Sequence, residues 1–167
     1  MSDVKAKNLD RYGYPPLEWA RAVAALEDTS KHRTCWLATT DPDGSAHIAG
    51  VGALWVNDKM YFTSSPRARK SRNVTAQPRC AMSVAGGDID LVIEGAAARV
   101  TDDVTLQDLA ARYNAQGWPA RAENGALTAE YSAPSAGPPP WELYEITPST
   151  VYGVATAEPY GATRWQL

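Results

Sequence analysis

One short stretch concentrates the residues that could bind an anionic ligand. A strand-like run ends in the hydroxyl residues Thr63, Ser64 and Ser65, and a helix-like run then begins at Pro66. Its first turns carry four cations within six residues: Arg67, Arg69, Lys70 and Arg72. Free N–H groups and a partial positive charge at a helix start bind phosphate well, and hydroxyl and guanidinium groups add strong donors. The pattern predicts a phosphate site.

A solvated basic helix face is the alternative interpretation of the same residues. Cations at a helix N-terminus oppose the helix dipole, and an anionic ligand would remove that conflict. Asn73 follows Arg69 by four positions and can share its helix face. The balance of charge therefore favours a phosphate site over a merely solvated surface.

Outside this stretch, the sequence offers few groups for acid–base or metal chemistry. It contains no glycine-rich dinucleotide fingerprint, P-loop or GxSxG elbow. His32 and His47 lack a nucleophile pattern and are expected to be structural, while Cys35 and Cys80 lack zinc-site spacing. A protein with a phosphate site and no acid–base set suits a cofactor that carries the chemistry itself.

Composition indicates one globular domain spanning residues 1–167. The 167 residues are 44% hydrophobic and 21% charged, with a net charge of -3. A chain of this size can bury one core, and its acidic balance argues against nucleic-acid binding. No apolar run is long enough to cross a bilayer, and the first residues have no signal-peptide core. We therefore expect a cytoplasmic protein that does not bind membranes.

The predicted elements alternate short strands with helices. A helix is expected over about residues 15–31, and strands over 34–40, 45–56 and 59–63 follow, with a turn at Asp41–Gly44. Helices over 66–77 and 103–116 flank strands at 79–85 and 89–101, and closing strands are expected at 141–147 and 150–156. Residues 117–140 form an excursion rich in Ala, Pro and Gly. The fold class is mainly β (α+β), a six-stranded antiparallel barrel over about 33–101 and 141–156 with flanking helices.

The order of the motifs resembles the pyridoxamine 5'-phosphate-oxidase-like split-barrel superfamily, and most closely its flavin/deazaflavin oxidoreductase branch. The matching segments lie between residues 19 and 165. They are Cys35–Ser45, Met60–Ser64, Pro66–Val74, Gln77–Cys80, Val92–Ala96, Arg99–Asp102, Gly117–Pro119 and Ala162–Trp165. Motifs specific to the true pyridoxamine-phosphate oxidases are missing, so that activity is not expected.

The resemblance implies a split barrel that forms a homodimer and binds FMN or coenzyme F420 at the dimer interface. By this resemblance, the cofactor phosphate is held by Thr63, Ser64, Arg67, Arg69, Lys70 and Asn73. The backbone of Gly50, Val51 and Gly52 would run beside the flat ring, where missing Cβ atoms allow close approach. The resemblance also implies that the closing residues Arg164 and Trp165, together with Trp141, cover the ring from the partner subunit.

The function expected from the resemblance is hydride transfer from a reduced deazaflavin or flavin to a small unsaturated acceptor. Reduced F420 is favoured over FMN because its glutamate tail adds negative charge that the basic cluster could bind. The alternative is a non-catalytic split barrel that binds a flavin or haem, with His32 and His47 as conceivable haem ligands.

Overall fold

The structure is a computed structural model that describes residues 4–31 and 34–167. The helices are α1 (Trp19–Glu27), a 3-10 turn (Thr29–Lys31), α2 (Arg69–Ala76) and α3 (Asp103–Ala115). The first strands are β1 (Lys5–Asn8), β2 (Cys35–Thr40), β3 (Ala46–Val51), β4 (Ala53–Val56), β5 (Lys59–Ser64) and β6 (Arg79–Ala85). They are followed by β7 (Ile89–Val100), β8 (Arg121–Glu123), β9 (Ala126–Thr128), β10 (Glu142–Ala155) and β11 (Ala162–Gln166).

Antiparallel pairing closes most of these strands into a barrel. Strand β2 pairs with β3 and β6, β6 with β7, β7 with β10, β10 with β5, and β5 with β4. Strands β3 and β4 are consecutive apart from Gly52, so the covalent chain completes the circuit. Counted with β3 and β4 as one interrupted strand, the barrel has six strands, which confirms the predicted fold class.

Local turn chemistry accounts for the tight connections. Asn57 and Asp58, between β4 and β5, have φ of 51° and 60°, the left-handed geometry that two-residue hairpins need. Gly44 has φ of 87° and donates its N–H to the Asp41 carbonyl at 2.8 Å, which makes the predicted turn between β2 and β3. These turns place β2 beside β3 and β4 beside β5.

The barrel interior is filled by rows of registered side chains. One row crosses the sheet through Leu37, Met82, Ile93, Val151 and Trp165, each at most 1% exposed. Strand side chains alternate between faces, so the residues next to these in sequence point outward. A second apolar cluster forms where α3 packs against β4 and β5.

The structure corrects several predicted boundaries. Helix α1 covers only Trp19–Glu27, and the predicted strand 45–56 is interrupted at Gly52. The two closing strands are one strand, β10, with an irregularity at Pro148–Thr150. Long-range pairing explains the single closing strand, because β7 pairs with β10 on both sides of that irregularity.

Both chain ends contain strands that the sequence pattern did not predict. The tail forms β11, which pairs with β10 and with the N-terminal β1. The excursion 117–140 contains the hairpin β8–β9.

In the described ranges, no helix is long and apolar enough to cross a membrane.

Candidate functional site

A cavity of about 470 Å³ opens where β3 gives way to β4. Its walls come from the barrel on one side and from α3 and the 117–140 segment on the other. The barrel contributes Cys35, Val51, Gly52, Ala53 and Thr63, and the other wall contributes Tyr113, Gln116, Trp118, Tyr131, Ser132 and Ala133. Thr29 completes the lining. The cavity is thus bounded by flat backbone and by aromatic rings.

Gly52 leaves the barrel wall of the cavity open. A Cβ atom built on Gly52 would meet no heavy atom within 4 Å, so the wall is flat and free at this point. Gly50 is different, because a Cβ there would lie 3.0 Å from Thr34 Cγ2, and its cross-strand partner is the outward-facing Trp36. Of the three residues predicted to flank a ring, the structure places Val51 and Gly52 on the cavity, while Gly50 faces its own chain.

The start of α2 is an uncapped, acid-free helix terminus. Ala68 occupies the N-cap position and makes no side-chain cap, and the first turn contains no acidic residue. Within residues 4–31 and 34–167, the backbone N–H groups of Arg69, Lys70 and Ser71 have no acceptor. Such groups need a partner, and an anion satisfies them together with the helix dipole.

Lys70 stands in this first turn as a half-buried cation. Burial lowers the pKa of its ammonium group, and among the described residues no carboxylate lies within ion-pair distance. A desolvated charge without a counter-ion is unfavourable, so the site favours an incoming anion. Arg67 is exposed in the loop before the helix and also has no ion-pair partner in the described part of the chain.

Arg69 and Asn73, both predicted to bind the phosphate, are hydrogen-bonded within the chain itself in this structure. The Arg69 guanidinium binds the Asp41 carboxylate through two nitrogens, with Nε 2.8 Å from Oδ1. Asn73 is 4% exposed, and its Nδ2 donates to Thr39 Oγ1 at 3.0 Å and to Asp41 Oδ1 at 2.9 Å. The hydrogen bonds from Arg69 and then Asn73 lower the pKa of Asp41 to about 2. The network fastens α2 to the end of β2.

The two predicted hydroxyl ligands also differ in position. Ser64 is 3% exposed, and its Oγ lies 2.7 Å from Ser71 Oγ inside the protein. Ser71 also donates to the Ser65 carbonyl at 2.7 Å. Thr63, in contrast, lines the cavity and makes no side-chain hydrogen bond among the described residues. Thr63 is therefore the hydroxyl placed to meet a ligand, whereas Ser64 holds the helix start in place.

The three residues that were predicted to cover the ring lie in different surroundings in the structure. Trp165 is 1% exposed in the barrel core, 5.4 Å from the ring of Trp19, and Trp141 is 2% exposed with its indole N–H on the Ala136 carbonyl at 3.2 Å. Neither side chain can cover a ligand of a second subunit, because each is enclosed by its own chain. Arg164 alternates with Trp165 along β11 and lies in register with Lys7 and Tyr152 on the outward face.

A second recess lies beyond the α2 start, beside the basic residues. It measures about 550 Å³ and includes Arg72, Thr75, Arg99 and Glu142 in its walls. Arg99 pairs with Glu142 at 2.9 Å, while Arg72 has no ion-pair partner in the described part of the chain. The recess therefore carries a net positive charge next to the helix start.

The sequence patterns did not single out the aromatic wall of the cavity. Tyr113 packs edge-on against Trp118 at 5.2 Å, and the Trp118 indole N–H donates to the Tyr131 carbonyl at 2.6 Å. The Tyr131 hydroxyl in turn donates to the Gly117 carbonyl at 3.1 Å. The high content of Trp and Tyr and the unusual excursion were the available signals, but neither specifies which rings converge.

The histidines play no part in this site as far as the structure describes them. His47 is half-buried on β3, opposite Thr39, and His32 lies outside the described residues. No group of three or more His, Cys, Asp or Glu residues in the described ranges could hold a metal ion.

The barrel, the uncapped helix and the cavity beside β3 together define a split-barrel protein of the FMN-binding type. The family model for pyridoxamine 5'-phosphate oxidase matches residues 21–155, and the chain belongs to this family. No curated protein sequence matches the chain significantly.

Three solved structures with a similar fold are distant from this chain in sequence. The general stress protein 26 of Bacillus anthracis is 16% identical with a TM-score of 0.57, and the match covers 82% of this chain and 94% of that one. An F420 reductase is 22% identical (TM-score 0.54; 85% and 98% covered). A pyridoxamine 5'-phosphate oxidase-related, FMN-binding protein of Nostoc punctiforme is 21% identical (TM-score 0.54; 89% and 90% covered). These likenesses establish the fold.

Proposed function

We propose that this protein is an oxidoreductase that binds a phosphate-bearing flavin or deazaflavin, with F420 preferred over FMN. Family membership supports a flavin-type ligand, and one structural observation carries the proposal. The first turn of α2 presents three backbone N–H groups and the ammonium of Lys70 without a partner among the described residues, and the turn contains no acidic residue. Such a turn is chemically incomplete without an anion.

The residues present fit such a cofactor. The N–H groups of residues 69–71, with Lys70 and Arg67, would hold the phosphate, and Thr63 lines the cavity near the end of β5, six residues before α2 begins. The flat wall at Val51 and Gly52 accommodates a planar ring, because no Cβ projects from Gly52. When bound, the cofactor supplies a hydride donor and acceptor. The chain binds and orients it, and the walls of Tyr113 and Trp118 exclude water.

The preference for F420 follows from the charge beyond the phosphate position. Arg72 and Arg99 line the recess next to α2, where only a longer anionic cofactor would reach. Arg69 is already neutralised by Asp41, so the surplus of cations is smaller than the sequence indicates. Exposed charge pairs contribute only about 0–1 kcal/mol each, and the F420 advantage should therefore be modest and sensitive to salt.

A homodimer completes the proposal. Four large apolar side chains on the outward faces of neighbouring strands are exposed: Trp36 (51%), Ile48 (62%), Val92 (37%) and Val154 (54%). In the sheet, β3 neighbours β2 and β10 neighbours β7, and only β6 lies between these two pairs. Trp36 and Val92 are both in register with Ser83 of β6, so the side chains lie on one outward face. Monomers rarely leave such a face open, and a two-fold dimer covers the same face on both copies. The small unsaturated acceptor would then enter beside Trp118 and Tyr131.

Paired titrations with F420 and FMN test this proposal. We expect wild-type protein to bind both cofactors, with an F420 advantage that shrinks at high salt. Lys70→Ala should weaken both by about 10- to 100-fold, because a charge-assisted contact contributes about 1.5–3 kcal/mol.

The matched control is Arg112→Ala, which removes an exposed cation of α3 whose one ion-pair partner among the described residues is Asp108. It should leave both affinities unchanged. Equal losses in the two variants would show that Lys70 acts through net charge alone. Tighter binding of FMN at both salt concentrations would reverse the cofactor preference, and a Soret band in the purified protein would favour the haem-binding alternative.

A further inference from the structure

The wall of the cavity contains a peptide whose orientation is set from another element. Gly52 lies between β3, which pairs with β2, and β4, which pairs with β5. Because neither ladder includes Gly52, its carbonyl and N–H are not fixed by strand pairing. A residue at such a junction needs another partner to hold a single orientation.

Tyr113 supplies that partner. Its hydroxyl donates to the Gly52 carbonyl at 3.1 Å, across 61 positions of sequence. Tyr113 is 5% exposed and packs edge-on against Trp118, so its ring cannot turn freely. Burial raises the pKa of Tyr113, so the hydroxyl remains a donor throughout the neutral range.

The N–H of Gly52 has no acceptor in the part of the chain that the structure describes. Gly52 lines the cavity, and no side chain stands in front of it. The same residue therefore has its carbonyl occupied by Tyr113 and its N–H available. A free donor at a cavity wall suits the polar edge of a planar heterocycle, which carries carbonyl oxygens and ring nitrogens.

We propose that Tyr113 is a positioning residue: by holding the carbonyl of the peptide between Gly52 and Ala53, it restrains the backbone torsions of Gly52, so that the Gly52 N–H of the preceding peptide is the backbone donor offered to the polar edge of a bound ring. The ring in question is that of the proposed cofactor, so the inference rests on the proposed function. Without the hydroxyl, the Gly52 carbonyl has no partner among the described residues and can turn towards the ring, which also releases the neighbouring Gly52 N–H from its orientation. A carbonyl in that position repels the ring's own acceptor atoms.

Tyr113→Phe tests the inference, with Tyr61→Phe as a matched control. Both changes remove one buried phenol hydroxyl, and Tyr61 belongs to the same apolar cluster but donates to Glu145 at 2.7 Å and does not line the cavity. The first measurement is amide hydrogen exchange of residues 51–54 without any ligand. We expect faster exchange there in Tyr113→Phe and no change in Tyr61→Phe.

The second measurement is the affinity for lumiflavin, which has the ring but no phosphate. We expect Tyr113→Phe to weaken lumiflavin and FMN equally, by about 3- to 10-fold, and Tyr61→Phe to weaken neither. Unchanged exchange, or faster exchange with unchanged lumiflavin affinity, would overturn the inference. If wild-type protein bound lumiflavin but not FMN or F420, the proposed phosphate site would fail while the role of Tyr113 stood. Failure to bind any of the three would overturn both.

Discussion

Replacing Asn73 by Ala should cost stability and not cofactor affinity. Asn73 shares the basic stretch with Lys70, and sequence pattern assigns both to a phosphate. In the structure, Asn73 donates one neutral hydrogen bond to Thr39 and one charge-assisted bond to Asp41, and it is 4% exposed. The substitution leaves the 3%-exposed Thr39 and the Asp41 carboxylate short of a donor each.

The magnitude follows from those two bonds. A neutral hydrogen bond contributes about 1 kcal/mol and a charge-assisted one about 1.5–3 kcal/mol, so about 2.5–4 kcal/mol should be lost. For a chain of this size, each kcal/mol lowers the Tm by about 2–4 °C, which gives a fall of about 5–16 °C. For Lys70→Ala we expect the opposite result, namely weaker cofactor binding without a loss of stability. It removes a desolvated ammonium whose pKa is lowered by burial, so the ligand-free Tm should not fall.

Thermal unfolding of the two ligand-free variants, followed by cofactor titration of each at 20 °C below its own Tm, separates stability from binding. An unchanged Tm for Asn73→Ala combined with weaker cofactor binding would show that Asn73 contacts the ligand. A fall in Tm for Lys70→Ala would show that Lys70 has a partner inside the fold.

Three further predictions concern packing, pH and assembly. Gly153→Ala should lower the free energy of unfolding by about 1–3 kcal/mol, because its Cβ would lie 2.7 Å from Trp165 Cζ3. Gly52→Ala, with open space at its Cβ, should leave the midpoint of urea unfolding nearly unchanged. If Gly153→Ala and Gly52→Ala unfolded at the same urea concentration, the packing argument would be refuted. The pKa of Asp41 is about 2 in the folded protein against about 3.9 unfolded, so its contribution is present above pH 4 and is lost as the pH falls towards 2. Asp41→Asn should therefore flatten the stability profile between pH 4 and 2, and an identical acid limb would contradict this. Ile48→Arg should give a monomer by light scattering, whereas Val104→Arg, which changes an 81%-exposed residue of α3, should leave the dimer intact; a dimer in both would exclude the proposed face.

The sequence by itself determined the features that depend on neighbouring residues. The turn at Asp41–Gly44 follows from the conformational limits of Pro and Gly. The existence of α2 follows from the spacing of its residues, although the helix begins at Arg69, three residues after the predicted start at Pro66. The order of these segments was enough to identify the barrel and the family. The basic, hydroxyl-rich stretch also lies where it was expected, at the start of a helix.

The tertiary structure decided which members of that stretch are available to a ligand. Arg69 and Lys70 are adjacent, yet a helix turns about 100° per residue, so one meets Asp41 and the other has no counter-ion in the described part of the chain. The partner of Arg69 lies 28 positions away, and no local pattern indicates that β2 ends beside α2.

The same reason explains the aromatic residues and the cavity. Trp141 and Trp165 have sequence contexts suited to a ligand cover, but the pairing of β10 with β7 and β11 encloses Trp165, and the 117–140 segment covers Trp141. Tyr113 meets Gly52 only because α3 packs across the junction of two strand ladders. Contacts between residues distant in sequence depend on which strands become neighbours. Which strands become neighbours depends on the total apolar surface that the whole core buries, and the spacing of residues along one segment gives no information about that total.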